Sequence, residues 1–470
     1  MFPIHTLQFY NTPKTCSKKT IPLQGTSLYS QKSDMIYEKR LPNVAFKGNY
    51  MLGLDNQDRN RIWTKKFDEA FENNDAEEFL NFINHKTKLK PIFSTTSNSD
   101  LTEFLNPLNI LNPIFGSKTT EKNLKSEIVK DTDNKAFPIQ NITLKTQNKT
   151  DNISIKANKT GHIQINNSSL GNLFIERSDL EKATNMQKTD KDIIADGARG
   201  FDPFDQEDWP KVIGRQWPTA ENTRDPKGVA NLSIDNAKKA IFLDTNKTIT
   251  SSYGTKPRAM AILDKENDSV ILAFQQENKN PDIDFAAWSI LPFKIREGKK
   301  TVALFPAHKN TIQNYNDPKN NSLKTIRQSD QWDIDENKFF VVDVSKPSDK
   351  TEYSDSYTDW CLFATQGEDT ACLVRSCYKD NTDNQQFKVF SGQEDLGGTK
   401  YCELEFIAPK VKKNQKSTLV YRLEFISLKK LGFDSLNEEN MDSQIKEVGK
   451  TIESKINLNK ALSNITLADA

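Results

Sequence analysis

Histidine is nearly missing from this chain. Four occur in 470 residues, at positions 5, 85, 162 and 308. Scattered that widely, they do not have the close spacing of zinc ligands and argue against a metal site. Cysteine is also sparse: Cys16 stands alone near the start, and Cys361, Cys372, Cys377 and Cys402 fall in one region without a CxxC pair. Their simplest role is that of small buried hydrophobes on strands, although Cys361 and Cys372, on the two arms of a predicted hairpin, leave a cross-strand disulfide open. A large net charge is absent as well. Lys plus Arg at 65 nearly cancel Asp plus Glu at 64, so the formal charge is +1 and no global field draws the chain to nucleic acid or to anionic lipid.

Long apolar runs are missing too. The opening MFPIHTLQFYNTPKTCSKKTIPLQ has no continuous apolar core of the kind a secretory signal needs, and no stretch approaches the roughly 18 residues of a membrane span. A cytoplasmic location without membrane attachment is therefore expected. The sequence contains no GxxxxGK[ST], GxGxxG, HExxH or GxSxG, which removes phosphate-loop, dinucleotide, metalloprotease and serine hydrolase readings. No cofactor and no metal are implied. Only 35% of the residues are hydrophobic and mean hydropathy is -0.71, low for a chain of this length, so one substantial domain with weakly ordered flanks is expected.

The patterns that are present divide the chain into five parts. Residues 1–60 are rich in Asn, Lys, Ser, Thr and Pro without sustained periodicity, which predicts a disordered leader. Over 61–118, Ile62, Phe67, Phe71, Phe79, Leu80 and Phe82 recur at helical spacing, and a following apolar run is broken by Pro107 and Pro113. Short amphipathic helices packed on the main domain are expected there. In 141–180, alternating segments begin at Asn141, Asn152, His162 and Asn172, the last three ten residues apart, with Gly161 and Gly171 at matching turns. Such spacing fits either a short β-solenoid repeat or a meander of hairpins.

From 196 to 430 the chain reads as strands alone, including FAAWSILPF, TVALFP, DWCLFA, ACLVRSCY and KYCELEFIAP, separated by Asn, Asp, Gly and Pro. No helical pattern alternates with them, so a mainly β fold of packed antiparallel sheets follows. Ile445, Val448, Ile452 and Ile456 at helical intervals predict a helical tail within 431–470.

The order of motifs across 196–430 resembles the galactose mutarotase-like, or aldose epimerase-like, β-supersandwich superfamily, and in particular bacterial members with no established reaction. The resemblance rests on the Trp217-Pro218 step, the strand at Trp288, the Trp360 to Arg375 hairpin and the ELEFIAP segment from Glu403. It implies an antiparallel β-supersandwich whose concave sheet faces a carbohydrate. In mutarotases of this fold, two histidines and a glutamate handle the ring-oxygen and anomeric protons. Here the β region holds one histidine, His308, so that arrangement cannot be rebuilt.

Candidate site residues follow from that comparison and from alternation. Glu403 and Glu405 share one side of their strand, opposite Leu404 and Phe406, and are candidates for a general base or for sugar hydrogen-bond acceptors. His308 is the candidate acid/base partner of Glu403. Trp288 and Trp360 could stack on a sugar, and a buried Arg375 needs a counter-charge, which Glu403 or an acidic sugar would supply. The expected function is carbohydrate binding with uncertain catalytic competence. An aldose epimerase-like enzyme with a non-standard site is the main alternative, and a structural or assembly protein is another.

Overall fold

The alternation of the second half is realised as antiparallel sheet. A computed structural model describes residues 56–93, 142–145, 153–157, 162–175, 197–202, 231–235, 237, 239–244, 255–280, 282–306, 328–329, 332–334, 339–345, 351–354, 359–378, 387–392, 401–433, 436–437 and 439–468. The leader expected over 1–60 lies, as far as residue 55, outside the described residues, as do the proline-broken run near 107 and Cys16.

Three antiparallel sheets account for the described strands, numbered in chain order. The largest runs β12 (Gln328–Ser329), β13 (Trp332–Ile334), β14 (Phe339–Asp343), β11 (Thr301–Pro306), β16 (Trp360–Thr365), β17 (Thr370–Ser376), β20 (Lys416–Ser427), β9 (Ser269–Asn278), β8 (Thr255–Asp264), β7 (Ala240–Asp244) and β6 (Asn231–Ile234). A five-stranded sheet runs β15 (Thr351–Ser354), β18 (Phe387–Gly392), β19 (Tyr401–Ile407), β10 (Trp288–Lys294) and β5 (Arg199–Asp202). The third is a meander of β1 (Ile142–Lys145), β2 (Ile153–Ala157), β3 (Ile163–Asn167) and β4 (Gly171–Asn172). Antiparallel pairing of Ile155 with Ile165 and of Asn167 with Gly171 decides between the two readings of the ten-residue spacing: it is a set of hairpins, not a solenoid.

The five-stranded sheet packs face to face on the largest one. Alternation on β20 sends Tyr421 towards β10 and β19, where its ring lies 5.2 Å from that of Phe406 and its hydroxyl bonds Ser289. Phe293 on β10 stacks on Phe363 of β16 at 3.9 Å and 13°. The hairpin expected at 360–375 is present, with Cys361 opposite Val374 and Cys372 opposite Phe363. The two thiols are thus not directly paired across the strands, and all four described cysteines are free and buried.

Helices cover the other face of the eleven-stranded sheet. In α1 (Asn56–Asn73) and α2 (Glu77–Lys86), Phe67, Phe79, Leu80 and Phe82 of the expected apolar stripe are buried, Ile62 and Phe71 are only partly buried, and Trp63 and Ile83 complete the buried face. The side-chain amide of Asn60 accepts from Thr418 N and donates to Lys416 O, each at 2.9 Å, satisfying β20 beyond the end of β17. The tail forms α3 (Met441–Ala468), which buries Met441, Ile445, Val448 and Ile452 with Leu304, Phe339 and Leu362.

Gly449 is the contact point of α3. A Cβ there would come within 2.9 Å of Leu304 Cδ2 and 3.3 Å of a Phe339 ring carbon. In an exposed helix interior, Gly→Ala stabilises by about 1 kcal/mol. Here overpacking reverses the sign, and Gly449→Ala is expected to lose roughly 1–3 kcal/mol in urea denaturation. An unchanged or raised midpoint would show that the helix does not sit this close to the sheet.

Candidate functional site

The carboxylates of β19 occupy the side of the five-stranded sheet that faces away from the large one. Leu404, fully buried, points inward between them, and Glu403 and Glu405 lie opposite Pro292 and Ile290 of β10. Trp288, on the same face, donates its indole N–H to Glu405 Oε2 at 2.8 Å. Its ring belongs to a small apolar cluster with Phe285, Ala286, Ile290 and Ile407 and is 2% exposed, so it offers no open stacking surface. Trp288, Glu405 and Glu403 are thus brought together.

Trp360 and Arg375 are elsewhere. They sit opposite one another on β16 and β17, on the helix-covered face of the eleven-stranded sheet. Trp360 packs near Phe339 in the cluster beneath α3. Arg375 finds its counter-charge in Glu424, not in Glu403: Nε donates to Glu424 Oε1 at 2.8 Å, and Nη1 donates to the Lys88 carbonyl at 2.8 Å. The second Glu424 oxygen accepts the backbone N–H groups of Ile92 and Phe93. That set of bonds commits Arg375 to holding the helical segment. His308 lies outside the described residues.

An accessible cleft lies between the three sheets among the described residues. It has a volume of about 340 Å³ and is lined from the meander by Asn166, Gly171 and Asn172, from the five-stranded sheet by Phe293, and from the large sheet by Thr301 and Thr365, among others. Asn166 Nδ2 donates to Asn172 Oδ1 at 2.8 Å, and the hydroxyls of Thr301 and Thr365 are 3.2 Å apart. Each pair keeps unused hydrogen-bonding capacity, since a primary amide has two donors and an acceptor and a hydroxyl can both donate and accept. The turn leading into β4 is held by Asn167 Oδ1, which accepts from Ser169 N and Leu170 N, and by Gly171 at φ +66. Arg296, at the mouth, donates from Nη2 to the Leu170 carbonyl and from Nη1 to Glu368.

No carboxylate or imidazole stands among the described residues lining this cleft. Among the described residues no three His, Cys, Asp or Glu side chains gather as metal ligands, and no helix is long and apolar enough to cross a membrane. Burial pushes the thiols up, Cys377 to about 12, which makes them poor nucleophiles. The cleft residues were not among the sequence candidates. The regular spacing that ends at Gly171 was their one visible trace.

Neither a family model nor a curated relative matches the sequence. Among solved structures, the chain is similar to a galactose mutarotase-like protein from Lactobacillus casei, at 9% identity and TM-score 0.41, over 60% of this chain and 100% of that one. It is also similar to a galactose mutarotase related enzyme from Lactobacillus acidophilus, at 12% identity and TM-score 0.36, over 61% and 98%. The likeness is one of fold.

The placement of Arg375 makes a direct prediction. Glu424→Gln leaves two buried guanidinium groups nearby with one carboxylate fewer, and removing one partner of a buried pair costs about 3–5 kcal/mol. The expected loss in urea unfolding is of that order, with early proteolysis of the 56–93 segment. A loss below about 1 kcal/mol, the value of an exposed ion pair, would contradict the burial of this network.

Proposed function

We propose that this chain binds a carbohydrate in the three-sheet cleft and does so without transforming it. The observation that carries the reading is the composition of the wall. Amides (Asn166, Asn172) and hydroxyls (Thr301, Thr365) line it together with the largely buried, stacked pair Phe293 and Phe363. Sugars present that same mixture, hydroxyls around the ring edge and apolar C–H faces, and sites for small molecules combine apolar walls with a few convergent polar groups in volumes of about 300–1,000 Å³. The resemblance of the motif order to the galactose mutarotase-like superfamily supports the same ligand class. Ring opening needs a paired acid and base, and the cleft lining offers amides and hydroxyls in their place.

A second reading has its own observation. Glu405, fixed by Trp288 at 2.8 Å with Glu403 beside it, is a positioned carboxylate on the other face of the five-stranded sheet, as an epimerase-like enzyme would need.

The two are separated by thermal shift and calorimetry on the full chain against neutral and acidic mono- and oligosaccharides. A stabilising sugar is expected whose affinity falls at least about tenfold in Asn172→Ala, a loss of roughly 1.4 kcal/mol, and is unchanged in Glu403→Gln. The opposite dependence would move the site to the Glu405 face and justify an anomerisation assay. A cooperative melt that no sugar shifts would remove the carbohydrate reading and favour a structural or assembly role.

A further inference from the structure

Arg296, which lines the cleft together with Lys294, shares one carboxylate with a second cation, Lys299, in the turns just beyond the cleft wall. Arg296 Nη1 and Lys299 Nζ both donate to Oε1 of Glu368, the lysine at 2.7 Å. One positive charge therefore remains beyond what the carboxylate cancels. Glu368 is fixed in place: its backbone N–H bonds the Thr365 carbonyl at 3.1 Å, Gly367 beside it turns the chain at φ +75, and its side chain is only 14% exposed. The cations are more open, with side chains 32% exposed for Arg296 and 41% for Lys299. Glu297, in the same turn as Arg296, is exposed to solvent.

Arg296 is oriented as well as charged. Its Nη2 donates to the carbonyls of Leu170 and Ser169, which fixes the plane of the guanidinium across the cleft mouth from the meander to the 366–369 turn. Among the described residues its Nε–H makes no hydrogen bond. A planar, pre-oriented guanidinium with a spare donor is suited to a carboxylate or phosphate oxygen, more than to a neutral hydroxyl.

On these grounds, and resting on the carbohydrate reading of this cleft, we infer that the ligand is an anionic sugar, a uronate or a sugar phosphate. Its charged group sits at the Arg296 and Lys299 end, and its hydroxyls meet Asn166, Asn172 and Thr365.

The test is isothermal titration of the full chain with matched ligands: glucose, glucuronate, glucose 6-phosphate and inorganic phosphate, at low and at physiological ionic strength. At least one acidic sugar is expected to bind about tenfold or more tightly than glucose. Its advantage should shrink with added salt, because the cations are partly exposed. Lys299→Met should remove most of that advantage and leave binding of the neutral sugar unchanged. This variant is preferred to Arg296→Ala, which also cuts the tie to the 168–170 turn. Equal affinity for neutral and acidic sugars would overturn the inference while leaving the carbohydrate reading intact. Binding of none of the sugars would remove both. Inorganic phosphate as tight as the sugar phosphate would overturn the inference by showing that only the anion is recognised, and so would an acidic advantage that survives in Lys299→Met.

Discussion

Four charges buried on one face of the eleven-stranded sheet decide what can pack there. Arg375 and Arg422 are directly opposed on β17 and β20, 4% and 0% exposed, an arrangement that would be strongly unfavourable alone. Glu424, two residues along from Arg422, and Asp264, 2.8 Å from its guanidinium, restore neutrality. Burial pulls Arg422 below its ordinary range, and Asp264 opposes that shift. The network also satisfies backbone. Arg375 donates to carbonyls of residues 88 to 90, and Glu424 accepts from Ile92 and Phe93, so the irregular chain after α2 can be covered without leaving peptide groups unpaired. Lys88 shares this environment: burial draws it down to about 8, against the pull of Asp359 at 3.1 Å.

That face is covered by the helical segments, and the opposite side of the sheet packs on the five-stranded one. There the interface between the two large sheets is apolar over most of its extent, with Phe274, Phe363, Phe406 and Leu423 buried and the Tyr421–Ser289 hydrogen bond among its polar links. The composition changes where the strands stop. β10 ends at Lys294 and β16 at Thr365, and the turns beyond them carry Arg296, Lys299 and Glu368. The cleft is thus located by strand length: core ends and polar side chains begin at the same level in both sheets.

Alternation and helical spacing made much of the fold readable. The shared side of Glu403 and Glu405, the 360–375 hairpin and the apolar stripe of Ile445, Val448 and Ile452 all follow from periods of 2 and 3.6. Periodicity fails where both faces of a strand are covered. Trp360, Cys361, Leu362, Phe363 and Ala364 are all buried, so their sequence carries no contrast to show that Trp360 faces the helices while Phe363 faces β10. The carboxylate that a buried Arg375 requires is Glu424 and not Glu403, a distinction that alternation cannot make because both lie on strands and only the packing of layers separates them. Beyond the regular spacing that ends at Gly171, the cleft left no mark in the sequence, because Asn172, Phe293 and Thr365 meet only through tertiary structure.

A site assembled from three sheets would be loose if each could shift, but an aromatic line holds them. Phe174, just after β4, meets the ring of Phe293 edge-on at 5.3 Å, and Phe293 stacks on Phe363 at 3.9 Å, so one ring from each sheet joins the series. Backbone bonds reinforce it: Ile175 N to the Pro292 carbonyl at 2.9 Å, Lys294 N to the Leu173 carbonyl at 2.8 Å, and a reciprocal pair between Ile163 and Ala198. That last pair needs the glycine before it. Gly197 adopts φ +68, and a Cβ there would lie 3.0 Å from His162 Cβ and 3.2 Å from the Ile163 carbonyl oxygen. The wall bearing Asn166 and Asn172 is thereby fixed relative to the wall bearing Thr301 and Thr365, so the cleft between them is held open by packing and backbone bonds.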